Sequence, residues 1–83
     1  MWIIENNPDK PGKMFRPVNL DWVMYLSLGV DGKKSYIQFA FPENSNTNWL
    51  RWLFENQDDR DKYFAKILEK FPDIKLGVDD ISL

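Results

Sequence analysis

Trp49-Leu-Arg-Trp-Leu-Phe-Glu-Asn-Gln-Asp-Asp-Arg-Asp-Lys-Tyr-Phe-Ala-Lys-Ile-Leu-Glu-Lys-Phe71 reads as a strand that turns sharply into an amphipathic helix. Asn56 is suited to cap the helix, because its side-chain oxygen can accept from the free N–H groups of the first turn. Asp58, Asp59 and Asp61 follow, where the positive end of the helix dipole favours anions. Tyr63, Phe64, Ile67, Leu68 and Phe71 then form one apolar stripe at the 3.6-residue period. Pro72 stops the helix, since it cannot continue the hydrogen-bond ladder. Within Trp49–Phe54, a strand sets Leu50, Trp52 and Phe54 on one face and Trp49, Arg51 and Leu53 on the other. A helical stripe through Trp49, Leu50, Leu53 and Phe54 is the alternative; the strand is preferred because the Asn56 cap already marks a separate helix start.

Upstream, Val18, Leu20, Trp22, Met24, Leu26, Leu28 and Val30 occupy the even positions of one stretch, against Asn19, Asp21, Val23, Tyr25, Ser27 and Gly29 at the odd ones. A period of two predicts one long strand with its even face in the core, distorted at its start by Asn19–Asp21. Asp31-Gly32 is a type I′ hairpin signal, since that turn needs positive φ at both central residues. The return strand, Lys34–Phe41, presents Ser35, Ile37, Phe39 and Phe41 on one face and Tyr36, Gln38 and Ala40 on the other. Phe64 and Ile67 of the helix are expected to pack on Leu26, Leu28, Ile37 and Phe39.

The remaining segments are short. Met1–Glu5 suits a brief strand, and Asn6–Pro17, with prolines at 8, 11 and 17 and a glycine at 12, reads as a loop. Pro42–Asn48 is a polar loop, and the alternation of Ile74, Leu76 and Val78 makes Asp73–Leu83 either an added strand or an arm. The expected fold is a single α+β domain over residues 1–83: an antiparallel meander of three to four strands, with one C-terminal amphipathic helix packed on one face. Helix and sheet then bury each other's apolar sides.

Composition narrows the function. The chain has no cysteine and no histidine, so it lacks the thiolate nucleophile, the usual general base and the commonest soft or transition-metal ligands. No catalytic residue, cofactor or metal is expected, and the chain is read as not an enzyme. The cluster Asp58, Asp59, Asp61 is read as dipole complementarity with a surface pair from Asp58 to Lys62, not as a magnesium site. Asp79-Asp80 is similarly unspecific, and no spacing evidence supports Glu43 with Glu55 as an acid–base pair. A net charge of −2 suggests neither a polybasic nucleic-acid binder nor an acidic DNA mimic. Met1-Trp-Ile-Ile4 stops at Glu5 without a basic flank, so no signal peptide is read. With no apolar run of membrane-spanning length, a cytoplasmic protein without membrane contact is expected.

Four tryptophans are a high load for 83 residues, and tryptophan is enriched at interfaces as well as in cores. With the even face inward, Tyr25, Tyr36, Trp49 and Arg51 share the outer sheet face, joined by Val23, Ala40 and Leu53 and bordered by Lys33 and Lys34. These four are the candidate binding residues. A protein partner or a second copy of the chain is the expected ligand, with single-stranded nucleic acid the alternative.

Two family resemblances accompany this. Trp52–Ile67, strand, cap, acidic turn and aromatic helix, resembles the closing strand and helix of a pleckstrin-homology-like domain, with Tyr63 or Phe64 where that family carries its helix tryptophan. Tyr25–Phe71 is similar in order and length to a PUR-type or Whirly-like repeat, four strands followed by a helix. Members of those groups bind single-stranded nucleic acid on the sheet and often dimerise. The second resemblance implies base stacking on Tyr25, Tyr36 and Trp49, with Arg51 following the backbone.

Overall fold

The computed structural model describes residues 1–42 and 48–77. In chain order the elements are β1 (Trp2–Ile3), β2 (Val18–Asn19), a 3₁₀ turn (Leu20–Trp22), β3 (Tyr25–Asp31), β4 (Lys34–Ala40), β5 (Trp49–Phe54) and α1 (Gln57–Lys70). β3, β4 and β5 form an antiparallel meander in that order, and β1 pairs with β2 in a separate two-stranded sheet. The α+β meander with its C-terminal helix is therefore present, and Trp49–Phe54 is a strand.

Three hydrogen bonds fix the phase of the meander. The Phe41 N–H donates to the Asn48 carbonyl at 2.8 Å, and β4 and β5 continue in that register, with Phe39 opposite Leu50, Ile37 opposite Trp52 and Ser35 opposite Phe54. Hydrogen-bonded pairs alternate along an antiparallel ladder, so Leu50, Trp52 and Phe54 bond to β4, while the main-chain groups of Trp49, Arg51 and Leu53 point away from it. On the far edge, Leu26 donates to the Lys75 carbonyl at 2.9 Å and accepts from the Gly77 N–H at 2.6 Å. Leu76 thereby bridges Leu26 in parallel, the beginning of the added strand expected after Asp73. Val78, Asp79-Asp80 and the rest of that tail lie outside the described residues, as do Glu43 and most of the polar loop.

The hairpin joining β3 and β4 differs from the expected turn. Asp31 pairs with Lys34, so the central residues are Gly32 and Lys33, not Asp31 and Gly32. Gly32 has φ +65°, and no described non-glycine residue has positive φ. One positive φ at the first central position is the type II′ pattern. Glycine supplies it without a Cβ penalty.

Val18–Val30 is not one strand. Asn19 caps a 3₁₀ turn, its side chain accepting from the Asp21 N–H at 3.1 Å. That local bond competes with the ladder and rotates the chain before β3 begins. Val18, Leu20 and Leu26 are buried, but Trp22 and Met24 are exposed and Val23 packs against the core instead of pointing outward. Val30, at the end of β3, is also exposed.

The Asn6–Pro17 loop is folded back tightly. Lys10-Pro-Gly-Lys13 closes with a 3.0 Å hydrogen bond from Lys13 to Lys10, and Gly12 has φ +78°. Proline followed by a positive-φ glycine is the type II signature. Asn6 bridges Met14, and Phe15 donates to the Glu5 carbonyl at 2.8 Å. This delivers Phe15 into the core, where its ring stacks on Trp52 at 4.9 Å and 8° and also meets Phe54 and Tyr63.

α1 packs across β4 and β5 on the face carrying Ile37, Phe39, Trp52 and Phe54. The Asn56 cap is made, with Oδ1 accepting from the Asp59 N–H at 2.8 Å and Nδ2 donating to the Asp59 carboxylate at 3.1 Å. Ile67 is fully packed, whereas Phe64 is only half-buried beside the core cluster. Arg60 is buried and donates to the Gly29 carbonyl at 3.1 Å. The expected Asp58–Lys62 pair does not form among the described ion pairs; Lys66 and Lys70 reach Glu5 instead, at 2.8 and 3.9 Å.

Ile67→Ala should therefore cost about 2–5 kcal/mol, as deep aliphatic truncations do, and Phe64→Ala less. Urea unfolding of both variants checks this, and a larger loss at Phe64 would mean that the helix is rotated. Alkaline pH should also destabilise the domain. Burial lifts the Tyr63 phenol above its ordinary 10.0, where it donates to the Asn6 carbonyl at 2.6 Å. The hydrogen bond to Glu5 lifts Lys66 above 10.5. Both groups hold their protons more tightly when folded, so their contribution is complete below those values and is lost as pH rises through the folded ones. Tyr63→Phe should flatten the alkaline limb of a stability–pH curve; an unchanged limb would place its cause elsewhere.

Candidate binding face

The outer face of the meander is built from three cross-strand rows. Tyr25, Ala40 and Trp49 make the first, Ser27, Gln38 and Arg51 the second, and Gly29, Tyr36 and Leu53 the third. The alternation thus places Tyr25, Tyr36, Trp49 and Arg51 on one face, opposite α1. Their exposure differs from expectation. Tyr36 is only 3% exposed and Ala40 is buried, so neither presents a surface, while Tyr25 is half-buried.

Arg51 is the reason for much of this. Its guanidinium lies 4.0 Å from the Tyr36 ring centroid and 4.9 Å from that of Trp49. Its Nε donates to Gln38 Oε1 at 2.7 Å, and it stands 3.7 Å from the Asp31 carboxylate. A planar cation that stacks and donates from its edge suits such a seat, and lysine would not reproduce it. Arg51 is thus held in place and roofs Tyr36. Ser27 Oγ, in the same row, is buried without a hydrogen-bond partner. Trp49, 53% exposed, is the ring of the four that stands out from this face.

Two further rings were not legible from the alternation. Trp22 is 67% and Trp2 60% exposed. They share a groove with Pro17, Val18, Phe41 and Leu50, beside a second groove that Trp22 shares with Met24 and Pro42. The sequence signal for Trp22 was the Asn19-Leu-Asp21 turn former, which breaks the period on which its inward assignment rested.

The arrangement offers apolar and stacking surface. Among the described residues no group of three or more acidic side chains gathers as a metal site, and no described helix is long and apolar enough to cross a membrane. Neither a family model, nor a curated protein, nor a solved structure matches this chain.

Arg51→Ala removes a hydrogen bond from a charged group and two ring contacts. A loss of about 1.5–3 kcal/mol is expected for the hydrogen bond alone, read as a lower denaturation midpoint. An unchanged midpoint would show that Arg51 does not pin this face.

Proposed function

We propose that this protein is a non-enzymatic binding module that recognises a protein partner, as an inhibitor, an adaptor or a self-associating domain. The observation that carries this is the placement of tryptophan. Trp52 alone of the four is in the core; Trp2, Trp22 and Trp49 are each more than half exposed. An indole buries roughly 150–250 Å² when packed. A domain this small, with a core worth only about 3–5 kcal/mol, forgoes that stabilisation three times over. Desolvation of tryptophan and arginine by a partner dominates the energetics of many interfaces.

The alternative is single-stranded nucleic acid, favoured by Trp49 beside Arg51, an aromatic platform next to a cation. Two observations weigh toward protein. Arg51 is already engaged by Gln38 and Asp31, and the most exposed rings, Trp2 and Trp22, flank an apolar groove with Val18, Phe41 and Leu50.

Trp22→Ala and Trp49→Ala should leave the melting temperature close to that of wild type. Each should weaken partner binding by about 2 kcal/mol or more, roughly thirtyfold. Calorimetry on the captured partner, or sedimentation if the chain self-associates, gives the number. Folded variants that bind normally would remove the tryptophan surface as the site. A steep fall of affinity with salt would mark counterion release and a nucleic acid.

A further inference from the structure

A second surface lies along the open edge of β5, and it rests on observations separate from the exposed tryptophans. Trp49, Arg51 and Leu53 turn their N–H and C=O groups away from β4, and no described backbone group pairs with them. The next N–H in the same phase, that of Glu55, is taken by the Asp9 carboxylate at 2.7 Å. The edge already binds one carboxylate. Natural sheets usually blunt such an edge with proline, a charged side chain or a bulge; Trp-Leu-Arg-Trp-Leu-Phe has no proline, its register with β4 is unbroken, and its one charge, Arg51, is seated over Tyr36.

Facing the edge is the folded-back loop, held by the Lys10–Lys13 turn and by Phe15 on Trp52. Between them runs a cleft of about 440 Å³, within the range of ligand sites, roughly 300–1,000 Å³. Five cations, Lys10, Lys13, Arg16, Lys34 and Arg51, line it against two carboxylates, Asp9 and Glu55, and it reaches the edge at Arg51 and Leu53. Lys34 is matched by Glu55 at 3.3 Å and Arg51 by Asp31. Lys10, Lys13 and Arg16 are exposed and make no ion pair among the described residues.

The geometry points to an extended peptide segment rich in aspartate or glutamate as the occupant of this cleft, added to β5 as a further strand. A peptide backbone supplies both halves of the ladder, donors for the three carbonyls and acceptors for the three N–H groups that have no partner among the described backbone. A phosphodiester backbone supplies acceptors only. The carboxylates of the peptide meet Lys10, Lys13 and Arg16 on the loop side, where charge-assisted hydrogen bonds are strong. A second copy pairing β5 with β5 about a two-fold axis would bring two such cationic walls together.

The test is a ¹⁵N-NMR titration of the full chain with a synthetic peptide of about five residues, the span of the open edge, alternating valine with aspartate. The amides of Trp49, Arg51 and Leu53 should shift and become slow to exchange, while Leu50 and Trp52 change little. Lysine in place of aspartate, or N-methylation of every peptide nitrogen, should abolish the effect. Lys10→Glu with Lys13→Glu, both exposed, should weaken binding by about tenfold or more while the spectrum reports an intact fold. Equal binding of the N-methylated or the lysine peptide overturns the proposal. So does protection of the three amides before peptide is added, with a dimer mass, which assigns the edge to a second copy. An oligothymidylate that shifts these amides at lower concentration than the peptide assigns it to nucleic acid. Trp22→Ala should not alter peptide binding, so loss of the tryptophan surface and loss of this one are separable outcomes.

Discussion

The domain depends on one ring stack. Phe15 lies flat on Trp52 at 4.9 Å, and the Trp52 indole donates to the Arg16 carbonyl at 3.0 Å. Trp52 sits in the edge strand of the meander, so this pair fastens the N-terminal segment to the sheet beside α1. Phe15 also reaches Phe54 and Tyr63, which makes it the point where loop, sheet and helix meet. Offset aromatic pairs are worth about 0.5–1.5 kcal/mol beyond the area they bury. Three such contacts on one ring are a large share of what a chain of this size has to spare.

The same anchor decides which surfaces remain open. Holding residues 14–16 on the core side of β5 places the Lys10–Lys13 turn opposite the strand's free edge, and the cleft is the space between them. It also leads the chain directly into β2, whose pairing with β1 leaves Trp2 and Trp22 around a groove floored by Val18, Phe41 and Leu50. Neither surface has a partner within the described chain. Both follow from the choice of Phe15, and not Trp2 or Trp22, to fill the space over Trp52.

How much could be read in the residues alone depended on whether the signal was local. The Asn56 cap, the acidic first turn and the period through Ile67 all act within a few residues, and α1 stands where they put it. The β3–β4 hairpin was equally plain, though Gly32 took the first turn position and changed its type. Val18–Val30 misled because a clean period of two says nothing about a side-chain cap, and the Asn19 bond to Asp21 rotates the chain within that span. Phe15 was hidden among prolines and lysines; its burial depends on a closure to Trp52 that spans nearly half of the chain. At the candidate face the parity of Tyr25, Tyr36, Trp49 and Arg51 was legible, but exposure was not. A stacking arginine covers a ring that alternation alone leaves bare, and nothing in a single strand reveals its cross-strand neighbour.

Arg51 illustrates why the two open surfaces are of different kinds. Its stem and guanidinium serve the outer face, over Tyr36 and against Gln38, while its main-chain N–H and C=O serve the edge. Because the side chain is already seated, the backbone at this position is held in the extended geometry that an added strand requires. Less ordering then remains to be done on docking, and that ordering cost is what most limits recognition by strand addition. The tryptophan surface works by another route: Trp2, Trp22 and Trp49 offer rigid area with few torsions to freeze, and their gain comes from desolvation. One surface discriminates by hydrogen-bond pattern and charge, the other by shape and apolar area, and the Phe15–Trp52 stack holds the loop and strand that separate them.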